Sequence, residues 1–205
     1  MTSLRLFLAS SNAGKLREYR ELAGNSPVQL DLLPNFSSIS TFDETAPTFA
    51  ENSAGKALHY SQFTSELILA DDSGLVVPAR DGAPGVYSAR YAGPGASDAE
   101  RLQKLLGEMK GKEGVDRRAR FICVVTLARN SRALAIVSDF AEGTLTLEPH
   151  GTDGFGYDPI FFSSELGRTF AEASQREKNH YSHRGRAFRK LLELLLSPSN
   201  SLTLS

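Results

Sequence analysis

The 205-residue chain is 40% hydrophobic and 23% charged, with a formal net charge of −1 and one cysteine. That balance suits a globular protein with its own core and excludes a fibre, a disulfide framework or a disordered tail. Near-neutral charge argues against broad attachment to nucleic acid, and no apolar run approaches the roughly 20 residues that cross a bilayer. The short LRLFLA run passes straight into SSNAGK with no secretion signal, so a cytoplasmic protein with no nucleic-acid or membrane partner is expected. Cys123, inside the apolar run FICVVTL, reads as an inert core thiol in a reducing compartment.

In chain order, Leu4, Leu6 and Leu8 alternate with Arg5 and Phe7 as an opening strand. NAGK then feeds a helix with Leu16, Tyr19, Leu22 and Ala23 along one side. Val28, Leu30 and Leu32 alternate as a second strand, followed by an irregular polar stretch to about Thr45. Thr48 with Glu51 has the form of a capping box for a helix whose apolar stripe is Ala50, Ala54, Ala57 and Leu58. LILA, Leu67 to Ala70, reads as a short buried strand stopped by the acidic pair Asp71-Asp72. Ser97 and Glu100 cap another helix carrying Leu102, Leu105, Leu106 and Met109. ARFICVVTLAR and ALAIVSDFAEG flank Asn130-Ser131 as a long hairpin, to which TLTLE adds a third strand. A glycine-rich loop, GTDGFGYDP, precedes a polar stretch through Lys178 and a closing helix begun by Ser182, with Phe188, Leu191, Leu192 and Leu195 inward. Interspersed strands and helices indicate a mixed α/β fold of two lobes around a cleft over residues 1–197, with 198–205 a frayed tail.

Several segments carry possible chemistry. SSNAGK is not a Walker loop, because Ala9 and Leu16 stand where that loop needs glycine and Ser or Thr. A strand end leading into a helix N-terminus can still receive an anion, with simple helix capping by Ser11 or Asn12 as the alternative. Asp71 and Asp72, on opposite faces of a strand, repel each other unless a cation, backbone amides or water offset their charge. Mg²⁺ held with phosphate oxygens fits, and an Asx-type turn at Asp72-Ser73-Gly74 is the alternative. Asn52 and Lys56 share a helical face, where the lysine either meets phosphate or is solvated. Gly154 and Gly156 allow close approach of a ligand to the backbone, with Phe155 or Tyr157 offering a ring to a base or merely to a tight turn. In SHRGR, His183 and Arg184 are cations in a helix's first turn, where the dipole disfavours them unless an anionic or carbonyl-bearing partner compensates.

SSNAGKLRE, TFAENSAGKA, LADDSGLVV, GAPGVYSARYAG, GFGYDPIFF and SHRGRAF, in this order, resemble the successive blocks of the inosine triphosphate pyrophosphatase family, bacterial branch. The likeness spans almost the whole chain. It implies a two-lobed α/β fold with a long central sheet, a homodimer, and Mg²⁺-dependent cleavage of the purine nucleoside triphosphates ITP, dITP and XTP to monophosphate and pyrophosphate. It further implies that Ser10, Ser11, Asn12, Ala13, Gly14 and Lys15 form the triphosphate-binding turn and that Lys56 is a second phosphate contact. Asp72 would be general base and metal ligand, Glu44 (or its neighbour Asp43) the second acidic ligand, and Ser73 a substrate contact. Phe155, Gly156, Tyr157 and Asp158, with Lys178, His183 and Arg184, would enclose the purine and its sugar. SSN departs from the TGN or TTN usual in the first block, though serine keeps the hydroxyl.

Overall fold

The computed structural model describes residues 4–24 and 26–197; the expected frayed tail lies outside them. Among the described residues, seven strands form one sheet in the order β2-β1-β3-β4-β5-β6-β7, with five α-helices. The strands are β1 Leu4–Leu8, β2 Val28–Leu32, β3 Leu67–Val76, β4 Arg118–Arg129, β5 Arg132–Leu145, β6 Phe161–Ser163 and β7 Arg168–Thr169. The helices are α1 Ala13–Ala23, α2 Phe49–Tyr60, α3 Asp98–Glu108, α4 Gln175–Tyr181 and α5 His183–Leu196. No helix among the described residues is long and apolar enough to cross a membrane.

The described residues divide into two compact units, the first comprising residues 4–24, 26–72, 123–139 and 185–197, the second residues 73–122 and 140–184. In the first unit β1 pairs in parallel with β2 (Leu6 opposite Leu30) and with β3 (Leu6 opposite Leu67). Parallel strands are covered on both faces, and the alternation of β1 shows it. Leu6 and Leu8 join Tyr19 of α1 and Phe188 and Leu191 of α5 in one core, whereas Phe7 joins Ala57 and Tyr60 of α2 in another. Tyr19 and Phe188 meet edge to face at 5.2 Å. Cys123 is fully buried in the first of these cores, as its apolar run suggests.

The second unit is closed by β5, β6 and β7, paired antiparallel with Thr144 opposite Phe162 and Phe162 opposite Thr169. Its core gathers Leu75 from β3, Leu102, Leu105 and Met109 from α3, Phe121 from β4, and Phe161 and Phe170. Ser97 caps α3 through a full capping box with Glu100.

Four sequence expectations are corrected. β3 does not stop at the acidic pair but runs on to Val76, so Asp72-Ser73-Gly74 is strand and not an Asx turn. TLTLE is no separate strand: its Thr144 and Leu145 end β5, and the third antiparallel strand is β6. The stretch holding Lys178 is helical, because Ser174 and Glu177 form a capping box that starts α4. Ser182 follows α4 directly, and α5 begins at His183. Finally, α2 buries Asn52, Ser53, Lys56, Ala57 and Tyr60; its inward face is largely polar, not the alanine stripe.

Candidate active site

In the first unit, β1 delivers the chain to a tight polar turn. Ser10 Oγ accepts the Asn12 N–H at 3.1 Å, and Asn12 Oδ1 caps α1 by accepting the Lys15 N–H at 3.1 Å. Ser11, Asn12 and Ala13 are exposed, and the amides of Ala13 and Gly14 belong to the first turn, where a helix offers no acceptor of its own. Capping by Asn12 therefore does not occupy the amides of Ala13 and Gly14. Lys15 does not extend into solvent: its Nζ lies 3.0 Å from Asp71 Oδ1. Asp71 is fully buried, and Cys123 Sγ lies 4.0 Å from its other oxygen.

Lys56, 7% exposed, meets Glu44 Oε1 at 2.5 Å. Burial alone would lower its ammonium pKa, but Asp71 and Glu44 outweigh that and hold it above the ordinary lysine value. The solvated alternative for Lys56 is thereby corrected. Asp72, 6% exposed, has its pKa raised from 3.8 to about 6, first by burial and then by the charge of Glu44; Lys56, Lys15 and a hydrogen bond from Asn52 pull the other way. Glu44 is half-buried beside Lys56, while Asp43 is exposed, so of the two acids Glu44 is the one set against Asp72. Alternation separates Asp71 from Asp72 along β3, yet both charges act on Lys56.

In the second unit, Ser73 Oγ accepts from Arg184 Nη2 at 2.9 Å. The glycine-rich loop turns through positive φ at Gly154 (+78°) and Gly156 (+63°), and a Cβ on Gly154 would stand 2.2 Å from Asp158 Oδ2. That carboxylate oxygen accepts the Phe155 N–H at 2.8 Å and Lys178 Nζ at 2.6 Å. Lys178 Nζ lies 4.7 Å and Arg184 Cζ 5.5 Å from the Phe155 ring centroid, so two cations face one aromatic ring. Phe155 and Gly156 are half-buried, whereas Tyr157 and Asp158 are buried. Tyr157 donates to the Ser88 carbonyl at 2.9 Å, and burial raises its phenol pKa, so it is a strut under the loop and not a ring offered to a base. His183 is 4% exposed and stacks on Phe121 at 4.6 Å with an 8° tilt.

The expected residues thus fall into two sets. Ser10 to Lys15, Glu44, Lys56 and Asp72 belong to the first unit; Ser73, Phe155 to Asp158, Lys178, His183 and Arg184 belong to the second. Asp72 and Ser73 are consecutive on β3. Sequence reading missed three supports. Asp71 orients Lys15, Asp98 Oδ2 accepts the Gly156 N–H at 2.7 Å, and Asn52 brackets the backbone of Ala46. Asp71 stood out as half of the acidic pair and Asn52 by its place one turn from Lys56, whereas Asp98 left no signal.

The sequence model of the Ham1 family matches residues 6–194. The chain belongs to the Ham1 family. A "dITP/XTP pyrophosphatase" of Gloeobacter violaceus is 49% identical over 188 residues, covering 91% of this chain and 92% of the relative. One of Prochlorococcus marinus (strain NATL1A) is 45% identical over 195 residues, 95% of each chain. Among solved structures, a HAM1 protein from Coxiella burnetii matches with a TM-score of 0.83 at 42% identity, covering 94% of this chain and 98% of that one. The Staphylococcus aureus Ham1 protein matches with a TM-score of 0.81 at 33% identity, covering 93% and 97%.

Within this Ham1 chain the donor set suits a hard divalent cation. Asp72 and Glu44 supply carboxylate oxygens, and the burial and then the repulsion from Glu44 that raise the Asp72 pKa are what a cation would offset. Among the described residues no group of three or more His, Cys, Asp or Glu could hold a metal ion alone.

Proposed function

We propose that this protein is a non-standard purine nucleoside triphosphate pyrophosphatase, cleaving ITP, dITP and XTP to the monophosphate and pyrophosphate. The observation that carries the reading is the grouping of Asp72, Glu44, Lys15 and Lys56 in one buried electrostatic network in a chain 49% identical to a dITP/XTP pyrophosphatase. Asp72 and Glu44 would hold Mg²⁺, which when bound acidifies a water and offsets phosphate charge. Lys15, Lys56 and the Ser10–Gly14 turn bind the phosphates. Asp72 orients the water that attacks the α-phosphorus and accepts its proton; the bond from that phosphorus to the bridging oxygen breaks, and pyrophosphate departs with the electron pair.

Base selection falls to the second unit. Phe155 offers a face for stacking, and Lys178, Arg184 and His183 supply donors that match a 6-oxo group and oppose the 6-amino group of adenine, while guanine, which shares the 6-oxo group, is rejected through its 2-amino group by shape or an unmatched hydrogen bond. The lone, buried Cys123 supports placement in a reducing cytoplasm, and the net charge of −1 goes with no broad attachment to nucleic acid. A homodimer fits as well: Tyr87 in GAPGVYSARYAG is 57% exposed with the Arg90 guanidinium 5.0 Å over its ring, a surface suited to pairing.

One preparation tests the reading. Pyrophosphate release should be fast from ITP, dITP and XTP, slow from ATP and GTP, and lost on chelation of Mg²⁺. Comparable specificity constants for all five, or release of orthophosphate instead, would overturn it. Sedimentation of the same sample at dilution should show a dimer, and monomer alone would remove that part.

A further inference from the structure

Asn52 sits fully buried in the first turn of α2, a costly place for a carboxamide unless every polar atom is used. Its Oδ1 accepts the Ala46 N–H at 3.0 Å and its Nδ2 donates to the Ala46 carbonyl at 3.2 Å, the two-way pairing that one strand offers another. The same side chain lies close enough to the carboxyl of Asp72 to favour its charged form. One turn along α2, Lys56 holds Glu44, and between them Gly55 leaves room for Phe42, whose ring atom Cζ would stand 2.5 Å from any Cβ added there. The segment Phe42 to Ala46, which carries Glu44, is thus seated on α2 at three successive points.

The chemistry of the residue is selective. Asp would keep the acceptor but lose the donor and add a third negative charge beside Asp72 and Glu44; Ser is too short to bracket Ala46; Leu fills the space with no hydrogen bond. Asn52 is also outside the phosphate- and base-binding sets, and its polar atoms are committed to Ala46 and Asp72.

We propose that Asn52 is the positioning residue of the metal site, fixing the Glu44-bearing segment against Asp72 so that one divalent ion takes oxygens from both. This rests on the pyrophosphatase reading above. Residues that orient metal ligands typically contribute about 10- to 100-fold to metal affinity. The test is calorimetric titration of Mn²⁺ into the nucleotide-free protein, with the Mg²⁺ dependence of ITP cleavage and the unfolding temperature measured in parallel. In Asn52→Ala, Mn²⁺ affinity should fall about 10- to 100-fold, the Mg²⁺ concentration for half-maximal rate should rise in step, and kcat at saturating Mg²⁺ should largely recover.

Ser53→Ala is the control for simple loss of stability, since Ser53 is equally buried on the same helix but bonds the Ala70 carbonyl and Thr126. Should Asn52→Ala fail to fold, Asn52→Ser carries the same comparison. A lowered unfolding temperature with unchanged Mn²⁺ affinity overturns the proposal, as does an equal loss of affinity in Ser53→Ala. A parent protein that neither binds Mn²⁺ nor cleaves ITP would instead sink the pyrophosphatase reading.

Discussion

In the proposed mechanism Asp72 carries opposite obligations: it must be ionised to serve a cation and a water, yet its surroundings resist ionisation. Its pKa stands near 6 against 3.8 for the free group, so the folded state keeps the proton to higher pH than the unfolded chain does. The protonated form is therefore the one the fold favours. The stability this gives is complete below about pH 4 and is lost as pH rises through about 6, a penalty on the order of 2–3 kcal/mol. Asp72→Asn removes it. Without divalent ions, denaturant midpoints should show the variant gaining on the parent from pH 4 to pH 7 by about that amount, while its turnover falls by at least about 10²-fold for want of a base. A stability difference that is flat across this range would mean Asp72 ionises as easily folded as unfolded. Near-normal turnover would remove its catalytic role. Asp71 presents the contrasting case on the same strand, since Lys15 at 3.0 Å offsets its charge directly.

At the scale of elements, periodicity was legible wherever one face of an element meets one core. Leu6 and Leu8 against α1 and α5, the Ser97-Glu100 box and the left-handed Asn130-Ser131 turn (φ 49° and 59°) all follow from local pattern. It failed where function reverses the pattern. Helix α2 turns Asn52 and Lys56 inward because their partners are Ala46, Glu44 and Asp72, which no count of apolar positions can reveal. Strand β3 continues through two aspartates because lysines from distant segments compensate them. Lys178 belongs to a seven-residue helix whose Ser174-Glu177 box is readable but whose apolar stripe is too short to show. The glycine loop yields a prediction at this scale. A methyl group on Gly154 meets Asp158 Oδ2 at 2.2 Å in a left-handed backbone, disturbing the carboxylate that holds both the Phe155 amide and Lys178. Gly154→Ala should cost about 1–3 kcal/mol and raise KM for ITP more than it lowers kcat. Unchanged KM in a well-folded variant would show that the loop's seating does not govern base binding.

At the scale of the whole molecule, the mixed α/β class and a division in two were legible from the interleaving of strands and helices, whereas the course of the boundary through the middle of three strands was not. The segments proposed to handle phosphate, from Ser10 to Asp72, precede the aromatic and cationic segments of the second unit, and strands β3, β4 and β5 each pass from one unit to the other. If phosphates and base are gripped by separate units, their binding energies should be separable by substitution. Inorganic tripolyphosphate carries the charge of the substrate's tail without a base, and should compete with ITP in the presence of Mg²⁺. Phe155→Ala removes the stacking face, worth about 1–3 kcal/mol per base, and should weaken ITP by roughly 5- to 100-fold while leaving inhibition by tripolyphosphate unchanged. Lys15→Met, which deletes a charge from the first unit, should weaken both ligands together. Parallel loss of tripolyphosphate inhibition in Phe155→Ala would mean that the ring's position also shapes the phosphate set, and the division of labour between the units would not hold.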